Sequence, residues 1–268
     1  MARTSDLNPS TNRLPEAIEF HSKNSNLSFS SENSTSPMSG GSVSSEILSD
    51  ASLSKMDLTA TVANLTRDVK CSFTNGIANI CESYVGNRLK AKFRTIAKHG
   101  RKEAGSHAVL FSKFGETLSG FEFNSKRPYH ETFKCKYFIK QSTNRGHLII
   151  HFPAFVPIQE LKAPKEATHF KLYSQLITLS DYEFDEDQGY RPISKKAHGK
   201  KSDFYSPMLP ILKIPVQPMT SQLSVNNGLG VSDSTGLLLI MGVHFYSFKN
   251  SKYEPLPKES SLDIVKVF

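Results

Sequence analysis

The C-terminal half of the chain constrains the fold most. From about residue 119 onward, apolar and polar residues alternate in short runs that Pro, Gly and Asn interrupt. A period of two places successive side chains on opposite faces, so each run predicts a β-strand with one buried face. About seven such runs at short intervals are typical of an antiparallel β-sandwich of immunoglobulin-like size. The chain contains no Trp, so the similarity to immunoglobulin domains is one of architecture alone.

Two stretches of this half give more specific expectations. Residues 132–141 and 147–152 are strand-like and are joined by a loop that contains Gly, which predicts a β-hairpin. Residues 167–184 are long enough for a strand that turns a corner or crosses between sheets. The apolar pattern changes phase at Ser174 and Gln175, which predicts a β-bulge there.

The rest of the β-rich half mixes strands with exposed connections. Prolines predict sheet edges at residues 153–157 and 210–215, because Pro cannot donate a hydrogen bond to a neighbouring strand. Residues 181–201 carry acids first and lysines later, which predicts an exposed excursion whose charges neutralise each other. Residues 218–235 are polar and predict a long connection, whereas residues 236–248 predict the most buried strand.

Composition divides the chain into three parts and predicts an α+β fold. Residues 1–52 are rich in Ser and Asn, and such a segment buries too little apolar area to offset its ordering entropy, so we expect a disordered arm. Residues 53–118 predict a basic helical segment of one or two amphipathic helices. Residues 119–268 form the predicted β-sandwich domain.

The second helical stretch has the clearest periodicity. Apolar residues recur at intervals of three and four: Ile77, Ile80, Cys81, Tyr84, Val85, Leu89, Phe93 and Ile96. His99 and Gly100 follow, and a basic last turn before a glycine predicts the end of the helix at that point.

A dense group of cations occupies the opposite side of this helix. Its members are Arg88, Lys90, Lys92, Arg94, Lys98, Arg101 and Lys102. Like charges this close repel one another unless an anion lies nearby, so they are candidate contacts for a nucleic acid or an acidic partner. The alternative is a solvated face, since basic residues near a helix C-terminus are also favoured by the helix dipole.

Composition and cysteine usage bear on the compartment and the partners. The chain has a net charge of +8 and an isoelectric point near 9.3. Cys71, Cys81 and Cys135 show no paired spacing, and the N-terminal residues lack the apolar stretch of a secretory signal. No apolar run approaches the roughly 20 residues that span a bilayer. We therefore expect a protein of the cytoplasm, or one packaged from it into an assembly, with no membrane contact.

The sequence shows no recognisable catalytic or cofactor-binding motif. His147 and His151 are four residues apart in a predicted strand, which separates them by about 13 Å, too far to chelate one ion. The acids of residues 181–189 lack the closing ligand of a calcium loop. We expect no metal site, no cofactor, no small-molecule substrate and no enzymatic activity.

Several motifs resemble a family of uncharacterised bacterial proteins. They are GFEFN at residues 120–124 and IHFPAFVP at 150–157, with residues 1–3, 163–172, 242–246 and 262–268. Members of this family have a basic helical N-terminal half and a β-rich half with an IPAFVP-like segment. The resemblance covers roughly residues 80–268. The N-terminal segment of this chain differs from the family pattern, because it is Ser-rich where the family has a short Gly-rich segment. The resemblance implies a shared fold and no particular chemistry.

Two functions remain open from the sequence. The first is a non-enzymatic structural or interaction protein that self-associates, or docks onto a protein partner or larger complex, through the sandwich edges and the basic helix. The second is a nucleic-acid-binding accessory protein that uses the basic helix at residues 88–102.

Overall fold

Helices come first along the chain and strands make up most of the remainder. The computed structural model describes residues 50–104, 108–225, 227 and 230–268, with the backbone alone at residues 50–57, 75 and 101–104. The α-helices are α1 (Asp50–Cys71), α2 (Asn75–Ala78), α3 (Val85–Ala104), α4 (Phe111–Phe114), α5 (Tyr129–Thr132) and α6 (Pro157–Glu160). The described residues include two complete 3-10 helices, Gly115–Leu118 and Pro257–Glu259. All the described residues belong to one compact unit.

The described strands number twelve and pair antiparallel throughout. They are β1 (Phe121–Glu122), β2 (Phe138–Gln141), β3 (His147–Phe152), β4 (His169–Ser180), β5 (Tyr182–Asp185), β6 (Gly189–Pro192), β7 (Lys201–Tyr205), β8 (Leu209–Pro210), β9 (Met219–Ser224), β10 (Thr235–Lys249), β11 (Lys252–Pro255) and β12 (Ser261–Val267). The largest sheet has seven strands in the order β1-β12-β10-β4-β7, with β11 paired to β10 and β8 to β4. A three-stranded sheet has the order β2-β3-β9, and β5 pairs with β6.

The central strand β10 is buried on both faces. Leu238 and Ile240 belong to one apolar core, which contains the inward residues of α1 and α3. Leu239 and Met241 belong to a second core, which contains the inward residues of the three-stranded sheet. The large sheet therefore lies between a helical layer and a second sheet. Burial on both faces explains why β10 is an almost continuous apolar run.

The predicted α+β class is confirmed, but the described residues form twelve strands, whereas the sequence predicted about seven. The hairpin of β2 and β3 is present, with Phe138 opposite His151, but its first strand covers only the last four of the predicted residues 132–141, and Thr132 belongs to α5. The predicted polar connection at residues 218–235 contains β9, which pairs with β3. Strand β9 was missed because its buried positions include the polar Ser221. The predicted disordered arm at residues 1–52 lies almost entirely outside the described residues.

The bulge predicted at Ser174 and Gln175 is absent. Strand β4 pairs with β10 in continuous register, from Ser180 opposite Thr235 to His169 opposite Tyr246. The apparent phase change arises because β4 is buried on both faces, so apolar residues occur at both parities. A register shift occurs instead between β10 and β12, beside Leu239.

The basic helix also differs from its predicted bounds. Residues 77–84 do not continue it, because α2 ends at Ala78 and α3 begins at Val85. Tyr84, predicted on the apolar face, is 73% exposed. Gly100 lies inside α3 rather than after it, and a Cβ there would be 2.5 Å from the carbonyl oxygen of Ala108. The glycine therefore permits close backbone packing and does not end the helix.

The predicted charged excursion forms a small hairpin of β5 and β6. Two of its acids are paired within the hairpin, because Arg191 lies 3.3 Å from Glu183 and 3.0 Å from Asp185. Asp181 is buried at the start of this segment and accepts hydrogen bonds from the backbone N–H and the hydroxyl of Ser112. Glu183 and Asp185 therefore pair with an arginine of the hairpin rather than with the later lysines. No helix among the described residues is long and apolar enough to cross a membrane.

Candidate functional site

Helix α3 is held firmly against the rest of the fold. Leu89, Phe93 and Ile96 are fully buried in the core that the helices share with the large sheet. The ring of Phe93 meets that of Phe111 edge to face, with centroids 5.5 Å apart. Burying three large side chains at intervals of three and four fixes which side of α3 faces solvent.

Arg88 differs from the other cations of α3. Its guanidinium forms an ion pair with Glu82 and lies over the ring of Phe121, 5.1 Å from the centroid. Arg88 therefore links the start of α3 to β1. Its charge is largely compensated within the fold.

Four cations of α3 have no such compensation. Lys90 and Lys92 are half-buried, and Arg94 and Lys98 are exposed. None of the four forms an ion pair or hydrogen bond with a described residue. We call Lys90, Lys92, Arg94 and Lys98 the basic face. Arg101 and Lys102 lie in the last turn of α3, and their side chains are outside the described part.

The basic face has a regular spacing. Lys90, Arg94 and Lys98 follow one another at intervals of four, which is a rise of about 6 Å per step along one side of a helix. Lys92 is two residues from both Lys90 and Arg94, so it lies across the exposed side of α3 from this row. The sequence from residue 83 to residue 102 contains no acid. The side chains consequently present one sign of charge on a rigid support, which raises the local concentration of anions.

A second surface feature is an apolar groove, which includes residues of the segment 210–215 that was predicted as a sheet edge. It has a volume of about 430 Å³ and is lined by residues 207, 209, 210, 212 and 214–219. Leu212 is 46% exposed and Ile214 is 68% exposed. Large apolar side chains exposed together often mark contact surfaces.

The exposed strand edges carry residues that oppose further pairing. Strand β2 lies at the edge of its sheet and contains Lys140, while β11 contains Lys252 and ends at Pro255. Lysine and proline at an edge discourage the addition of another strand. Lys140, Lys252 and Pro255 therefore disfavour strand addition at these two edges.

One group of side chains among the described residues is close enough to share a metal ion. It comprises Glu122 of β1, His130 of α5 and Asp263 of β12. Burial, together with the neighbouring Glu122 charge, raises the pKa of Asp263 to about 7, against the lowering effects of the Tyr129 N–H and of Arg88. No sequence motif links these residues, because strand pairing and one short helix bring them together.

The two histidines considered from the sequence do not form such a group. His147 and His151 lie on β3, and the Nδ1 of His151 is 3.3 Å from the hydroxyl of Thr220.

Comparisons with known proteins add no further constraint. No protein-family model matches the chain, and no curated protein or solved structure is significantly similar to it. The interpretation of the basic face therefore depends on its geometry and charge.

Proposed function

We propose that this protein is a non-enzymatic binding protein that contacts the phosphate backbone of a nucleic acid through the basic face of α3. The observation that carries the proposal is the set of uncompensated cations at Lys90, Lys92, Arg94 and Lys98. Solvation alone would leave these charges repelling one another, whereas a polyanion neutralises them and releases its own counterions.

The support for this proposal is geometric as well as electrostatic. The row of Lys90, Arg94 and Lys98 rises by about 6 Å and turns by about 40° around the helix at each step, so adjacent cations can contact different phosphates of one strand. None of the three forms an ion pair or hydrogen bond within the described part of the chain. Contacts of this kind position a protein on nucleic acid without reading its sequence. Binding is accordingly expected to depend little on base sequence.

Charge reversal tests the proposal directly. Fluorescence anisotropy with a labelled duplex and a labelled single strand measures the affinity of the full chain and of the triple variant Lys90→Glu, Lys92→Glu, Arg94→Glu. We expect affinity to fall by at least about tenfold, because three phosphate contacts become repulsive.

A matched control separates position from net charge. Lys195, Lys196 and Lys213 are exposed and do not belong to α3, and their replacement by Glu changes the net charge equally. This control is expected to retain most of the affinity. Equal losses in the two triple variants would contradict the proposal, as would undetectable binding by the unaltered protein at low salt. Circular dichroism confirms that each variant is folded.

The apolar groove supports a second candidate function, docking onto a protein or onto another copy of this chain. The specific observation is the exposure of Leu212 and Ile214 beside that groove. Light scattering tests the case of self-association. A concentration-dependent dimer that Ile214→Asp converts to a monomer would support it, and a monomer at every concentration would oppose it.

A further inference from the structure

Three metal-ligating side chains, two of them eight residues apart and the third far along the sequence, meet at the β1 edge of the large sheet. Glu122, His130 and Asp263 each place a ligand atom within 4.8 Å of the other two. Strand pairing explains part of this arrangement, because Glu122 lies directly opposite Asp263 in β1 and β12. His130 comes from α5, whose first residue, Tyr129, contacts Asp263 through its backbone.

The state of Asp263 is the second, independent observation. Its side chain is 4% exposed. One carboxylate oxygen, Oδ2, accepts the backbone N–H of Tyr129 at 2.8 Å. The other, Oδ1, is buried and has no hydrogen-bond partner among the described residues. A buried carboxylate oxygen without a partner is costly, so the local structure favours a ligand that this oxygen can bind.

The surrounding charges do not supply that ligand. Two carboxylates directly opposite each other on neighbouring strands repel. Arg88 is the cation whose charge acts on Asp263, and its guanidinium is already paired with Glu82. A divalent cation would relieve the repulsion between Glu122 and Asp263 and satisfy the buried oxygen.

We propose that Glu122, His130 and Asp263 bind one divalent transition-metal ion of the zinc or manganese class. Imidazole nitrogen with carboxylate oxygen is a donor set that these ions accept, whereas magnesium and calcium prefer oxygen alone. The ligand atoms all lie within 4.8 Å of one another, which is close enough for them to converge on one ion with bonds of about 2.0–2.2 Å. The exposed His130 and the half-buried Glu122 can move, while the hydrogen bond from Tyr129 holds Asp263.

The bound ion would tie α5 to the edge of the sheet. Three protein ligands leave a position for water, and the exposure of His130 places that position toward solvent. This proposal is independent of the basic face and of nucleic-acid binding.

Calorimetric titration of the full chain with Zn²⁺, and separately with Mn²⁺, tests the proposal after removal of metals with a chelator. We expect one site that is lost, or weakened by at least about tenfold, in both His130→Ala and Asp263→Asn. Asn at position 263 still accepts the N–H of Tyr129, and His130 is exposed, so both variants should fold.

His151→Ala is the matched control, because His151 is an exposed histidine on a different sheet. It is expected to retain the site, and Zn²⁺ should raise the melting temperature of the unaltered protein and of His151→Ala but not of His130→Ala. Two results would overturn the proposal: no binding of either ion, or binding that His130→Ala and Asp263→Asn leave unchanged.

Discussion

Protonation of His244 is predicted to make the folded protein sensitive to mild acid. His244 lies in β10 and is 5% exposed. Its Nδ1 is 3.0 Å from the hydroxyl of Tyr246, and its Nε2 is buried without a hydrogen-bond partner among the described residues. Burial, with a smaller contribution from the charge of Lys171 directly opposite, lowers the pKa of His244 from 6.5 to about 4. The folded protein therefore holds this ring neutral.

The sign and size of the effect follow from linkage. Between pH 6.5 and about 4 the unfolded chain binds a proton at His244 that the folded chain does not, so stability falls as pH decreases through this window. The full difference between the two pKa values corresponds to about 3 kcal/mol. Between about pH 7 and about pH 5 the expected loss of unfolding free energy from this residue is about 2 kcal/mol.

Urea unfolding of the unaltered protein and of His244→Gln at both pH values measures this loss. Gln is polar and does not titrate, so the variant lacks the His244 contribution. The raised pKa of Asp263 acts in the opposite direction, because its carboxyl is protonated more readily in the folded state. That contribution is common to both proteins and cancels in the comparison. An equal change in unfolding free energy for the two proteins would refute the reasoning.

Two further predictions concern packing and thiol reactivity. Gly242→Ala is expected to destabilise the protein by about 1–3 kcal/mol, because the added Cβ would lie 2.3 Å from a backbone oxygen of β12. Gly86→Ala in α3 is expected to be neutral or stabilising by up to about 1 kcal/mol. A lower melting temperature for Gly86→Ala than for Gly242→Ala would contradict the packing described. Burial raises the pKa of the Cys81 thiol to about 11 and also raises that of Cys135. A thiol reagent at mildly alkaline pH should therefore modify the exposed Cys71 first, and rapid reaction of all three thiols in the folded protein would be inconsistent with this burial.

Local periodicity predicted the elements that have one buried face, such as the β2 and β3 hairpin. It was less successful where burial departs from that pattern. Strands β4 and β10 are covered by helices on one face and by a second sheet on the other, so alternation carries no information about their register. Tyr84 fits the apolar spacing of α3 but precedes the helix and faces solvent. Gly100 resembles a helix stop in sequence, and only the neighbouring chain shows why a glycine lies there.

The two proposed sites differ in how much of each could be predicted from the sequence. The basic face is local, since Lys90, Arg94 and Lys98 lie on consecutive turns of one helix, so spacing was sufficient to find it. The exception is Arg88, whose pairing with Glu82 and Phe121 depends on tertiary structure.

The candidate metal group could not be predicted from the spacing of residues in the sequence. Glu122 and Asp263 are far apart along the chain and meet only because β1 pairs with β12. His130 joins them from a helix of four residues that no periodicity marks.

The salt dependence of nucleic-acid binding tests the central claim most directly. If the four cations of the basic face each contact a phosphate, the logarithm of the association constant for a duplex should fall with the logarithm of salt concentration with a slope of about −4. Reversing Lys90, Lys92 and Arg94 should reduce the steepness of that slope by about 3. A slope near zero, or one that the triple variant leaves unchanged, would contradict the account.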